Sequence, residues 1–320
     1  MLRRFGATDR TTAEGEHPDQ VENWIDLVSP SRDEETEVER LLGIDIPAHH
    51  EIRSIEPSSR LYRDGEAVFA AAQILSRGDS PKPGTISVAF ILKDQKLVTV
   101  RYEENRVFDL FAAECERKPM AVRSGAHLVI GLLEAIVDRT AELLETVGDA
   151  VDDLPDRIHP AADGSAKRKD VAELQTVLAE IQLLQRRTAK SRESLVSLGR
   201  MIGFLLSQPE LKAQDVRARA RSVARDIVSL SDHASFVAQN IHFVLNAALG
   251  IVGIEQNAIV KFFSIVAVVL LPPTLMTGIY GMNFEVMPEL TWPLGYPLAI
   301  VAMLASAVLP YLWCRRRGWL

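Results

Sequence analysis

Cysteine is nearly missing from this chain of 320 residues: Cys115 and Cys314 stand alone, too few for a disulfide framework and too far apart for a CxxC metal site. Both read as small buried residues, and a reducing compartment suits the soluble part. Basic charge is short as well. Lys and Arg number 36 against 43 Asp and Glu, a formal −7, which takes away the basic patch that nucleic-acid binders depend on. Gly and Pro are at ordinary levels, which excludes collagen-like and disordered chains. There is no phosphate loop, HExxH, GxSxG or GxGxxG fingerprint, so no enzyme is expected. The histidines, His49-His50 included, lack metal-ligand spacing. No apolar run follows MLRRFGATDR, so no cleaved signal peptide is expected and residues 1–257 should stay on the side of synthesis.

What the chain does have is apolar residues piled up at one end. Phe262 to Met282 and Leu294 to Cys314 contain no Asp, Glu, Lys, Arg or His, and each is long enough to cross roughly 30 Å of hydrocarbon. Two spans are therefore expected, at about 262–282 and 294–314. Lys261 precedes the first, Arg315, Arg316 and Arg317 follow the second, and the loop between them carries only Glu285 and Glu289. That charge pattern places both termini in the cytoplasm. Residues 258–320 have a net charge of +2, leaving −9 on the rest, so an acidic body above an acidic outer loop suggests cation handling. Two helices cannot enclose a water-filled path, so conduction would require a cyclic homo-oligomer.

The remainder divides by pattern into a mobile polar leader (1–20), a cytoplasmic α/β domain (21–120) and a long helical stalk (121–257), followed by the membrane hairpin with its basic tail (258–320). In the α/β domain, β-rich stretches 24–28, 61–75, 85–92 and 97–102 are punctuated by Asp64-Gly65, Pro81 to Gly84 and Lys93 to Lys96, with helices at 33–42 and 107–117. Three long helices then follow. The first, to about Asp156, carries Glu134, Asp138, Glu142, Glu145, Asp149, Asp153 and Asp156 as one acidic stripe, read either as a solvated face or as a concentrator of divalent cations. The second, from Lys167 to Ser207 after a turn at 161–165, carries Arg186, Arg187, Lys190 and Arg192; pairing of these with the stripe is the simplest structural account. The third repeats Val216, Ala220, Val223, Ile227, Leu230, Ala234, Val237, Ile241, Val244, Ala248 and Ile251 at strict 4,3 spacing. With no Pro before Pro272, it is expected to continue straight into the first span.

That span ends in Gly281-Met282-Asn283, followed by Met287-Pro288-Glu289-Leu290. Neutral oxygens at the end of a span can recognise a hydrated cation without stripping its waters. Asn283 supplies a side-chain carbonyl, and Gly281 leaves its backbone carbonyl uncovered. By chemistry alone, Gly and Asn at this place could equally cap the helix. The tripeptide in this setting resembles the hallmark of the CorA family of magnesium channels. The resemblance extends from Ile254-Glu255-Gln256-Asn257 through Leu271-Pro272-Pro273-Thr274 and Gly295-Tyr296-Pro297 to Gly318-Trp319-Leu320.

The resemblance implies an α+β membrane protein: a cytoplasmic α/β domain, long stalk helices and two membrane helices per subunit in a homopentameric funnel of the inner membrane. Mg2+ would be the substrate, with Co2+ and Ni2+ also passing, and no organic cofactor or nucleic acid would be involved. Gly281, Met282 and Asn283 would form the selectivity filter, with Asn283 meeting the hydrated ion. Asn246, Leu249, Gly253, Asn257, Val260, Phe263, Ala267, Leu271, Thr274 and Gly278 share one helix face at three-to-four spacing and form the expected pore lining. By resemblance Asn257 and Thr274 match polar pore positions, and Val260 and Phe263 match apolar gate positions that act by dewetting. The chain departs from other members at Val260 and Phe263, and at Asn246, where some carry an acid. Pro272-Pro273 should loosen the helix. Glu285 and Glu289 would gather cations at the outer mouth, and Arg315 to Arg317 would form an inner basic collar. In the family, cytoplasmic Mg2+ bound between subunits closes the pore; Asp226 and Asp232 are the candidate ligands here. Two alternatives remain: a zinc transporter of the same superfamily, possibly proton-coupled, and a membrane-tethered sensor or scaffold, for which polar Asn257, Thr274 and Asn283 would be unnecessary.

Overall fold

The computed structural model describes residues 1–7, 21–53, 60–76, 82–117, 124–158, 171–282, 287–288 and 292–319. They form two compact units, Met1–Leu245 and Asn246–Leu320. The first is built on a six-stranded sheet of order β1-β2-β6-β5-β4-β3, with β1 at Leu2–Ala7, β2 at Val21–Val28, β3 at Leu61–Asp64, β4 at Ala67–Leu75, β5 at Thr85–Lys93 and β6 at Lys96–Arg101. Among the described strands only β2 and β6 pair in parallel. The punctuation expected at Asp64-Gly65 is a tight turn with Gly65 at φ +55, and Asp94 and Gln95 turn β5 into β6 with φ of 48 and 62, the mirror-image turn that suits twisted strands.

Successive residues of a strand face opposite sides, and the core divides accordingly. Trp24, Val88 and Phe90 pack with Leu128, Leu132 and Leu198 on one side, while Ile25, Ile91 and Val98 pack with Val38, Leu42 and Ile52 on the other. The second layer comes from α1 (Arg32–Leu42) and the short α2 (His49–Ile52); the first comes from α3 (Arg106–Arg117), α4 (Gly125–Ile158), α5 (Val171–Leu206) and α6, which begins at Gln214. Gly125 lets α4 start against the β5–β6 turn, because a Cβ there would lie 2.5 Å from the Lys96 carbonyl carbon.

One expectation fails at the N-terminus. The polar leader of residues 1–20 opens with β1, paired antiparallel to β2 from Leu2↔Leu27 to Ala7↔Val21. Its anchor is Phe5, whose ring stacks on Trp24 at a centroid distance of 4.6 Å; a single aromatic between Arg3-Arg4 and Gly6 is too short a pattern to read as a strand. The rest of that leader, Pro81 and the turn at 161–165 lie outside the described residues.

At the centre of the sheet Arg101 is fully buried. Its Nη2 donates to Asp26 Oδ2 at 2.9 Å and its Nε to Oδ1 at 3.3 Å. Thr99 Oγ1 donates to Asp26 Oδ1 at 2.7 Å and accepts from Trp24 Nε1 at 3.0 Å. The guanidinium also lies 4.6 Å from the Phe108 ring centroid. Every charge here has a geometric partner, the condition for tolerating ions in a core.

The heptad-like seam of the third helix is buried from Val216 to Val244, apart from a half-buried Leu230. Its upper part, Val216 to Ala234, shares one core with α4 and α5, so the seam finds its partners within the chain. Among the described residues, the ion pairs of the α4 acids Glu134 and Glu142 go elsewhere than to basic α5. Glu134 binds Arg219 of α6, with Nε to Oε1 at 3.0 Å, and Glu142 binds Arg139 of its own helix at 2.8 Å. Among the described residues an α4–α5 ion pair runs in the opposite sense, from Arg157 to Glu180 at 2.7 Å. Side chains three and four apart on one helix, or set by α6 packing, reach each other before helices held apart by an apolar layer can.

Candidate functional site

In the second unit α6 continues to Tyr280 and is followed by α7 (Gly295–Arg316). Both are long and apolar enough to cross a membrane, and their most apolar windows are 0% and 6% buried. On α6 the least exposed stripe is Ile265, Val266, Val269, Pro272, Pro273 and Met276; on α7 it is Gly295, Ala299, Ala302, Met303, Ser306, Ala307, Pro310 and Cys314. Two packed helices would bury such stripes against each other, small residues on α7 permitting close approach, and Thr277 Oγ1 reaches Met303 Sδ at 3.5 Å.

All ten expected pore-lining residues, from Asn246 to Gly278, lie within this unit and all are exposed. At 3.6 residues per turn their mean direction is roughly 180° from the stripe facing α7. A ring of these chains with α7 on the outside would turn this face to the axis. The large apolar members are bare, with Val260 61%, Phe263 65% and Leu271 65% exposed, and such a surface needs lipid or another chain to cover it. Thr274 spends its hydroxyl proton on the Leu270 carbonyl at 2.7 Å, leaving its oxygen lone pairs outward. Pro272 and Pro273 sit inside a helix that continues to Tyr280; they remove the donors for the carbonyls of Val268 and Val269.

Beyond Tyr280, the Gly281 amide still donates to the Thr277 carbonyl at 2.9 Å. Among the described residues the glycines with positive φ are Gly43, Gly65 and Gly318, so Gly281 is not used as a left-handed helix cap. A Cβ there would stand 3.0 Å from Thr277 O. Met282 is exposed. Asn283, Glu285 and Glu289 lie outside the described residues. At the other end of α7, Arg315 and Arg316 occupy the last turn and the Arg317 guanidinium lies 5.0 Å from the Trp313 ring centroid, an arrangement that suits a membrane interface.

In the first unit Asp226 and Asp232 are exposed on α6. No group of three or more His, Cys, Asp or Glu placed to hold a metal occurs among the described residues. Asp226 does have acidic company: partial burial first, then the charges of Glu134, Asp226 and Glu142, push the Asp138 carboxyl above its ordinary range. A raised carboxylate favours the fold when protonated, so this support is present at low pH and lost as pH rises through its titration. Asp138→Asn should therefore raise the unfolding midpoint at neutral pH, and the gain should vanish below the ordinary carboxylate pKa of 3.8, read by thermal unfolding across pH. Close by, His127 Nε2 meets Asp215 Oδ2 at 2.9 Å, a contact that holds the Asp215 carboxyl low. These partners are 88 residues apart, and nothing in local sequence could have joined them.

A family profile described as "CorA-like Mg2+ transporter protein" matches residues 19–316. The chain is 34% identical to the magnesium transport protein CorA of Haemophilus ducreyi over 324 residues, covering 100% of both chains. It is 33% identical to the protein of that name from Escherichia coli K12 over 300 residues, 93% of this chain and 92% of the relative. Its fold is similar to the complete structure of the CorA magnesium transporter from Methanocaldococcus jannaschii, with a TM-score of 0.77 over 99% of this chain and 98% of the other at 20% identity.

Proposed function

The chain belongs to the CorA-like Mg2+ transporter family, membrane proteins that move ions and are not enzymes, and from that membership we propose that it is a magnesium channel of the cell's inner membrane. The observation that carries this is the exposed face from Asn246 to Gly278, opposite the α7 contact and leading into Gly281-Met282-Asn283. In a closed ring of subunits, a pentamer in this reading, Asn283 and the Gly281 carbonyl repeat around the axis as neutral oxygens. They recognise Mg2+ with its waters in place. Val260 and Phe263 then form an apolar constriction that water leaves when it narrows. Glu285 and Glu289 raise the cation concentration outside, and Arg315 to Arg317 hold both termini in the cytoplasm. Co2+ and Ni2+, divalent ions of similar hydrated form, pass by the same route. Cytoplasmic Mg2+ closes the pore by bridging subunits, with Asp226 and Asp232 as candidate ligands and the exposed α4 acids gathering the ion.

Two experiments test this. In liposomes, Mg2+ influx should need no proton gradient and should fall when internal Mg2+ is millimolar; Zn2+ flux that follows the proton gradient would move the chain to a zinc function, and no flux would revive the tethered sensor. For the pore face, Ala267→Cys, Thr274→Cys and Gly278→Cys should react with a water-soluble thiol reagent and lose flux. Val268→Cys and Ile279→Cys, roughly a quarter turn away or more, should not. The native Cys115 and Cys314 are buried, and burial pushes the Cys115 thiol up to about 11, so the background is low. Equal reaction at all five positions would refute the assigned face.

A further inference from the structure

Beside the β3–β4 edge of the sheet, between α5 and α6, the first unit holds a cleft of about 740 Å3, well within the range of small-molecule sites. Its wall is basic, although residues 1–257 carry a net −9. Arg60, Arg192 and Arg200 line it. Among the described lining residues the only carboxylate is Glu193, which is already bound to Lys190 at 2.6 Å.

The three guanidiniums are poorly served. Arg60 Nη2 donates to the Arg53 carbonyl at 3.2 Å, but its Nε is shut from solvent with no hydrogen-bond partner among the described residues. Burial first, then the positive charge of Arg200, lowers the affinity of Arg60 for its own proton. Arg192 and Arg200 make no ion pair among the described residues. Holding like charges together beside an unsatisfied buried donor costs stability, and an anion entering the cleft reverses the sign of both effects. Guanidinium groups match phosphate oxygens in pairs. Val196 and Ala238 offer an apolar wall and Gln73 a side-chain amide, suited to a flat ring with polar edges.

We infer that this cleft binds a phosphorylated small molecule of nucleotide size, a function separate from ion conduction. The test is calorimetric titration of the purified full-length protein, with EDTA present, using ATP, inorganic tripolyphosphate and adenosine. ATP and tripolyphosphate should bind and adenosine should not. Arg192→Gln and Arg200→Gln should each weaken binding by about tenfold or more, the effect of one charge-assisted hydrogen bond, while Arg40→Gln on α1, outside the cleft, leaves it unchanged. Tighter binding of ATP would place a base on the apolar wall, and equal binding would mark a polyphosphate site; either supports the inference. In the unmutated protein, tripolyphosphate should also protect Arg192 and Arg200 from phenylglyoxal, read by mass spectrometry, which removes any dependence on variant folding. Absence of binding and protection, or binding that both variants retain in full, would overturn it. So would variants that break the oligomer while no phosphate compound binds, which would make the cleft a subunit contact. The readout is binding, so failure of Mg2+ transport would not decide the matter.

Discussion

Asn283→Ala is expected to abolish Mg2+ influx while leaving membrane insertion and oligomer size unchanged. In the proposed filter neutral oxygens repeat around an axis, so one substitution would remove an oxygen from every subunit at once. Loss of one hydrogen bond to a charged ligand is worth about 1.5–3 kcal/mol, and repetition in a ring multiplies it. Asp at the same position would bind more tightly and release more slowly, since conduction needs sites weak enough to leave; its flux should also fall. Influx assays in liposomes, with size-exclusion chromatography as the assembly control, read both variants. Normal flux through Asn283→Ala would remove this residue from the mechanism and leave the pore face without a selective end.

The second large effect concerns stability. Arg101→Met leaves Asp26, 1% exposed, as a buried charge without its partner, an event that costs about 3–5 kcal/mol. Thr99 alone cannot replace two guanidinium donors. Urea unfolding of the full-length protein in detergent, followed by hydrogen exchange at β2 and β6, should show the loss. Adding Asp26→Leu to Arg101→Met should recover most of it, because an apolar pair of similar volume is often neutral or better. A loss below about 1 kcal/mol, the level of a surface ion pair, would show that water reaches the pair.

Residue patterns along the chain made the two long apolar helices legible, because uncharged runs of this length have few other uses. The shared helix face from Asn246 to Gly278 was legible as a stripe, because three-to-four spacing is a property of the helix itself and all ten residues are exposed within one unit; that this stripe lines a pore is the proposal made above. The heptad-like seam from Val216 was legible for the same reason, though spacing alone does not name the partner, here α4 and α5. What stayed hidden depends on contacts distant in sequence. Asp26 and Arg101 look like ordinary surface charges until parallel pairing of β2 with β6 buries them side by side. The cleft of Arg60, Arg192 and Arg200 likewise joins a residue before β3 to one face of α5. The acids of α4 invited pairing with the nearest basic helix in sequence, whereas Glu134 found Arg219 on α6.

The division of the chain at Leu245 also sets a timetable. Domains fold as units, N-terminal first, while synthesis proceeds at roughly 5–20 residues per second. Every described strand of the sheet, and every described residue of the core it shares with the helices, comes before Leu245, so nothing needed for that core is still waiting inside the ribosome when the apolar end appears. Synthesis of Asn246–Leu320 takes a further 4 to 15 s, approximately, at those rates. The nascent chain thus carries a finished water-soluble body to the membrane before it exposes its first greasy helix, and the interval in which that helix is vulnerable to aggregation is confined to the last seconds of translation.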